Sequence, residues 1–244
     1  MKIFKKEIYD NYVSKMSKYM YKNVDKKSIF RNFPVWDVHY LRYFPEDKNI
    51  KILELGCGNG GFMLYLKEKG YKNVFGVEIS KEQISMAKKF GINGIILQDL
   101  VYFLKKTKEK YDVIVMRDVL EHFGKKEITL ILKQVHRVLR AEGILVLQVP
   151  NAEGLFGGRY RYGDFTHEIA FTGSSLSTIL RIAGFDEIKC YPSRPVAHSV
   201  ASFIRYILWF FLNFKTKIYM LIETGGSSGI FTQNIISIAK KAQK

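Results

Sequence analysis

Two histidines in this chain stand among residues suited to proton transfer near neutral pH. His122 closes the run Arg117-Asp118-Val119-Leu120-Glu121-His122, and His167 lies in Asp164-Phe165-Thr166-His167-Glu168, shortly after Arg159, Arg161 and Tyr162. The arginines and aromatics of the second group suit a polar substrate, and its glycines allow a lid over residues 151–172. A different chemistry is offered upstream. Gly56, Gly58 and Gly60 let the backbone turn without Cβ clashes, so a ligand can approach the main chain closely. Glu78 follows about 20 residues later, the spacing at which nucleotide-type domains meet a ribose diol with a carboxylate.

Strands are needed to bring these groups to one place. Lys51–Leu55 is a short apolar run entering the glycine turn, and Val74–Glu78, Gly94–Asp99, Asp112–Met116, Ala141–Pro150 and Asp186–Tyr191 repeat the pattern, with helical spacing between them. Alternation of this kind predicts a parallel sheet with right-handed crossovers. Ligands in such sheets bind beyond the carboxyl ends of the strands, which sends Arg117, Asp118, Glu121 and His122 toward the cleft. Ser80 reads as the cap of the helix over 80–90. Asp99 has two readings, a ligand contact and a helix N-cap before Val101, and one side chain can serve both.

The segment Glu54-Leu-Gly-Cys-Gly-Asn-Gly60 resembles the E/D-x-G-x-G-x-G signature of class I S-adenosylmethionine-dependent methyltransferases. It matches the dinucleotide fingerprint G-x-G-x-x-G less well. The resemblance implies a Rossmann-like seven-stranded α/β sheet with helices on both faces and the last strand antiparallel, assigned to Ile230–Ala239. It implies S-adenosylmethionine held by Glu54, Gly56, Cys57, Gly58 and Gly60 at the methionine end, by Glu78 and Ile79 at the ribose, and by Asp99 and Leu100 at the adenine, with Arg117 nearby. The run ending Leu120-Glu121-His122 is similar to the post-strand element of small-molecule and lipid methyltransferases, and differs from the N/D-P-P-Y/F element of many nucleic-acid amino methyltransferases. The spaced residues from Pro150-Asn151 through Asp164-x-Thr166-His167-Glu168 to Ala183-Gly-Phe185 look like a subgroup associated with bacterial surface glycans. On that resemblance O-methylation of a sugar or glycan-related metabolite is expected, with N-methylation of an amine or O-methylation of a lipid or quinone precursor as alternatives, and RNA methylation or a non-catalytic cofactor-fold subunit as the weaker ones. His167 is placed slightly ahead of His122 as the base, Asp164 or Glu168 would orient its imidazole, and Arg159, Arg161 and Tyr162 would hold the substrate. No metal is expected.

A chain of 244 residues, 47% hydrophobic, suffices for one α/β domain over 50–244 preceded by an N-terminal helical cap over 1–49. Tyr9, Tyr12, Val13, Met16, Tyr19 and Met20 supply the amphipathic spacing of that cap. Two cysteines are too few for a disulfide scaffold, and the N-terminus lacks a signal-like apolar run, so a cytoplasmic enzyme is expected. The formal charge of +16 invites nucleic acid, but lysines scattered along most helices make that the weaker reading. Within an insertion over 193–229, residues 199–222 form an apolar helix interrupted by Arg205 and Lys215. It is too short to span a bilayer and suits internal packing or a homodimer contact, a wall of the acceptor pocket, or the inner membrane surface.

Overall fold

The computed structural model describes residues 8–9, 11, 13–14 and 25–243. Tyr12, Met16, Tyr19 and Met20 of the expected N-terminal stripe lie outside them. Two short helices, α1 (Lys26–Arg31) and α2 (Phe33–His39), precede the sheet. The sheet then alternates with helices: β1 (Lys51–Leu55), α3 (Gly61–Glu68), β2 (Asn73–Glu78), α4 (Lys81–Lys89), β3 (Ile95–Leu97), α5 (Leu100–Lys106) and β4 (Tyr111–Arg117). The chain continues with α6 (Lys125–Val138), β5 (Leu139–Pro150), α7 (Gly157–Gly163), α8 (Gly173–Ile182), β6 (Asp186–Pro192), α9 (Val200–Thr224) and β7 (Asn234–Lys240).

The seven strands lie in the order β3-β2-β1-β4-β5-β7-β6. All neighbouring pairs from β3 to β5 are parallel, while β7 runs antiparallel to both β5 and β6. The order reverses between β1 and β4, and the crevice at such a reversal is where open α/β sheets take their ligands. Apolar side chains on both faces explain why β1 and β4 read as continuous hydrophobic runs: Leu53, Leu55, Ile114 and Met116 pack on one side, Ile52, Val113 and Val115 on the other.

Two boundaries differ from the sequence reading for visible reasons. β7 begins at Asn234 because the buried side chain of Asn151 takes the carbonyls of Ile230 and Thr232, so those groups never reach the ladder. The lid segment holds a two-turn helix, α7, whose glycine-rich sequence gave no helical period; the Arg161 guanidinium folds back onto the carbonyls of His167 and Glu168 and closes it.

Candidate active site

The glycine turn is shaped by its neighbours. Gly56 and Gly60 have φ of +69° and +73°, and a Cβ would meet Val119 Cγ2 at 2.6 Å on Gly56 and Ile92 Cγ2 at 2.8 Å on Gly60. Both left-handed backbone and close packing therefore exclude side chains there. Glu78, at the end of β2, fixes the turn from the next strand. Its Oε2 accepts the Gly58 N–H at 2.8 Å, and its Oε1 accepts the N–H groups of Ile79 and Ser80, each at 2.8 Å. Burial raises the Glu78 pKa above the ordinary carboxylate value, and these three donors only partly offset it.

A cavity of about 1060 Å³ opens above this turn. Glu54, Gly56, Cys57, Gly58, Glu78, Ile79, Asp99, Leu100, Arg117 and His122 all line it, whereas Gly60 does not and serves to open α3. Asp99 is the N-cap of α5, its Oδ1 accepting the Tyr102 N–H at 2.9 Å, and it also faces the cavity. Glu54 is buried, its Oε2 has no hydrogen-bond partner among the described residues, and burial lifts its pKa to about 8 against the pull of Arg117, whose Nη1 lies 4.0 Å from Oε1. That guanidinium sits against the rings of Phe62, Trp36 and Tyr40 at 4.6, 5.0 and 5.3 Å, a cation held on an aromatic wall.

The histidines occupy unequal places. His122 stands on the cavity wall, with Tyr9 edge-on to its ring at 6.2 Å. Thr166 donates its O–H to Asp164 Oδ1 at 2.6 Å and therefore accepts from His122 Nδ1 at 2.7 Å, which assigns the His122 proton to Nδ1 and its lone pair to Nε2. Asp164 is half buried, which raises its pKa, but the Thr166 hydroxyl and N–H outweigh burial and keep it below its ordinary value. His167 packs behind, its ring 4.8 Å from that of His122, with Nδ1 donating to the Tyr160 carbonyl at 2.8 Å and Nε2 4.0 Å from Glu121 Oε1. His167 is absent from the cavity wall that His122 lines, and Asp164 is hydrogen-bonded to Thr166, which in turn meets His122 Nδ1.

Of the expected substrate residues, Arg159 and Tyr162 are exposed on α7, Arg161 is spent on two carbonyls, and Glu168 gives its N–H to the Glu121 carbonyl at 2.7 Å. None of the four lines the cavity. Glu121 is fully buried, neither of its carboxylate oxygens is hydrogen-bonded among the described residues, and burial pushes its pKa well above the ordinary value. Its carboxyl, His122 and His167 bring ligating atoms within 4.8 Å of one another, a set able to hold a cation or to pass a proton. Sequence reasoning passed over Thr166, although it lies inside the Asp164-x-Thr-His motif, and placed Tyr9 only in the spacing of the N-terminal cap. Trp36 and Tyr40 gave no signal, because an aromatic on a short helix reads as core.

Comparison with known proteins comes to the same place. A family described as a methyltransferase domain matches residues 31–189. The chain is 33% identical over 98 residues to the cyclopropane-fatty-acyl-phospholipid synthase of Escherichia coli, a match covering 40% of this chain and 25% of that protein. It is 30% identical over 107 residues to the ubiquinone biosynthesis O-methyltransferase of Pelagibacter ubique, covering 43% of each. The chain thus spans between a quarter and a half of the length of these curated relatives. Among solved structures, a SAM-dependent methyltransferase from Archaeoglobus fulgidus superposes with TM-score 0.66 at 20% identity, over 93% of this chain and 100% of that one. The plantazolicin methyltransferase BpumL in complex with SAH gives 0.61 at 17% identity, over 98% and 96%.

Proposed function

The chain belongs to the methyltransferase-domain family, and from that membership we propose that it moves the methyl group of S-adenosylmethionine to a hydroxyl of a sugar or glycan-related metabolite. The observation that carries the reading is one cavity with three carboxylates toward the glycine turn, Glu54, Glu78 and Asp99, and His122 also on its wall. S-adenosylmethionine brings an ammonium, a ribose diol and an adenine amine, all hydrogen-bond donors, and a sulfonium methyl activated for in-line displacement. Glu54 would hold the ammonium, Glu78 with Ile79 the diol, and Asp99 with Leu100 the adenine. The unpartnered Oε2 of Glu54 supports this fit, since a buried acceptor without a donor is costly unless a ligand supplies one.

At the acceptor, His122 would take the hydroxyl proton on Nε2 as an oxygen lone pair bonds to the methyl carbon and the carbon–sulfur bond breaks, its electron pair staying on sulfur. Asp164, held ionised by Thr166, would stabilise the resulting imidazolium through the Thr166 hydroxyl. Arg159 and Tyr162, exposed on α7, would meet the polar groups of the acceptor, and Arg161 would hold the segment in shape. With Cys57 and Cys190 both unpaired thiols, we place the reaction in the cytoplasm.

A second acceptor, the hydroxyl of a lipid or quinone precursor, is favoured by the apolar side chains exposed on α9 and by the relative named for ubiquinone biosynthesis. Labelled S-adenosylmethionine, supplied with the protein to nucleotide-sugar, lipid-linked and RNA fractions, separates these. Label in the sugar fraction supports the first reading and label confined to lipid the second. Label only in RNA would overturn both.

A further inference from the structure

We propose that α9 is a membrane-surface helix that seats the chain on an anionic bilayer, a property independent of the methyl-transfer reading. The helix is long, at 25 residues, and self-contained: Ser199 caps it at one end and left-handed Gly225 at the other. At 1.5 Å per residue it extends about 37 Å. Its apolar side faces outward. Phe203, Ile207, Phe211, Phe214, Ile218 and Ile222 recur every three or four residues, and all are exposed, from 39% at Ile207 to 80% at Ile222. The half-covered or buried positions, Ser202, Tyr206, Trp209, Asn213, Thr216 and Met220, recur on the opposite side and are the more polar set. Exposed apolar side chains continue round the helix at Val200, Ile204, Leu208, Phe210, Leu212 and Leu221, and exposed apolar surface of that extent marks an interaction surface.

Charge identifies the partner. Lys215 and Lys217 fall on either flank of the stripe, where long aliphatic stems can lie along apolar surface while the ammonium groups reach lipid headgroups. With Arg205 they make three exposed cations on α9 against one anion, Glu223. The whole chain carries +16. An anionic surface complements that charge, whereas a second copy brings the same cations to the same contact. No helix among the described residues is long and apolar enough to cross a membrane, so α9 would lie on the surface.

Topology supplies a second, independent observation. Because β6 and β5 both run antiparallel to β7, β6 ends at the same edge of the sheet as β1 to β5, and α9 leaves and returns at that edge. The segment after β5 departs from it too, and exposes Phe156, Tyr162 and Phe165 at 71, 78 and 82%. The edge onto which the cavity opens therefore carries two exposed apolar segments, and seating it on a bilayer would bring the cavity to the lipid surface.

Flotation of the full chain with vesicles tests this. The wild type should float with phosphatidylcholine–phosphatidylglycerol vesicles, and less so as salt is raised. Ile207→Asp with Phe211→Asp should abolish flotation. Arg205→Gln, Lys215→Gln and Lys217→Gln should each weaken it by roughly fivefold, and these exposed substitutions keep the test valid if the apolar pair fails to fold. Absence of flotation, or equal flotation with pure phosphatidylcholine, would overturn the proposal. So would a dimer in light scattering that the apolar pair dissociates while the wild type ignores vesicles.

Discussion

The glycine turn and the histidine group bound the same cavity but are built differently. The glycine turn is made from short strand-to-helix connections: Glu54 to Gly60 after β1, Glu78 after β2 and Asp99 before α5, each one residue or one turn from a strand. Parallel register of β1, β2 and β3, which pairs Glu54 with Gly76 and Glu78 with Leu97, then staggers the three carboxylates across neighbouring strands with little help from the rest of the chain. The histidine group joins Tyr9, His122 and the Thr166–Asp164 pair, with 44 residues between His122 and its Thr166 partner. Tyr9 reaches it because the Glu82 carboxylate of α4 accepts the N–H groups of Val13 and Ser14 at 2.7 and 3.1 Å. Elements fixed by sheet register can carry a shared ligand chemistry, while a site gathered from loops is free to specialise for its acceptor.

The largest separation of the two regions should come from the histidines. His122→Ala is expected to lower turnover about 10²–10⁴-fold, while cofactor affinity stays near wild type. His167→Ala should cost less, because that ring lies behind His122 and is tied to the Tyr160 carbonyl. Equal losses in steady-state turnover would remove the distinction. Thr166→Val breaks the link to Asp164 and should reduce turnover by about tenfold; the acid limb of the pH–rate profile should also move to lower pH, since His122 loses an anionic partner. An unmoved limb would leave Thr166 a packing residue.

On the glycine side the effects are in binding and stability. Gly56→Ala must strain a left-handed residue and displace Val119, and is expected to cost about 1–3 kcal/mol in denaturant unfolding. The smallest effect concerns Glu54. Its pKa is 4.5 in ordinary surroundings and about 8 here. The folded chain keeps a proton across that window which the unfolded chain has lost, so stability falls as pH rises from 4.5 to about 8 and then levels. Glu78, Asp118 and Glu121, raised by burial too, act in the same direction. Glu54→Gln should make the decline in melting temperature shallower by a few degrees; an unchanged slope would place the titration elsewhere.

The same contrast decides what was legible in the sequence. The apolar run of Lys51–Leu55 with its glycines, and Glu78 after the second strand, announce the fold and one wall of the site because strand, turn and ligand are contiguous. The capping of α5 by Asp99 was legible from its place before Val101. That His122 lines the cavity and His167 lies outside its wall was not, since it depends on which ring the Asp164–Thr166 pair meets, a long-range contact without a local period. Arg161 misled for a related reason: an arginine in a polar loop reads as a substrate ligand, and only the folded loop shows two carbonyls occupying it.

Calorimetric titration of S-adenosylmethionine into the wild type, Glu78→Gln and His122→Ala tests the division of the cavity most directly. Saturable binding is expected in all three, weaker by about 1–3 kcal/mol in Glu78→Gln, where a charged acceptor is lost, and unchanged in His122→Ala. No binding by the wild type, or a loss that follows His122 and spares Glu78, would contradict it.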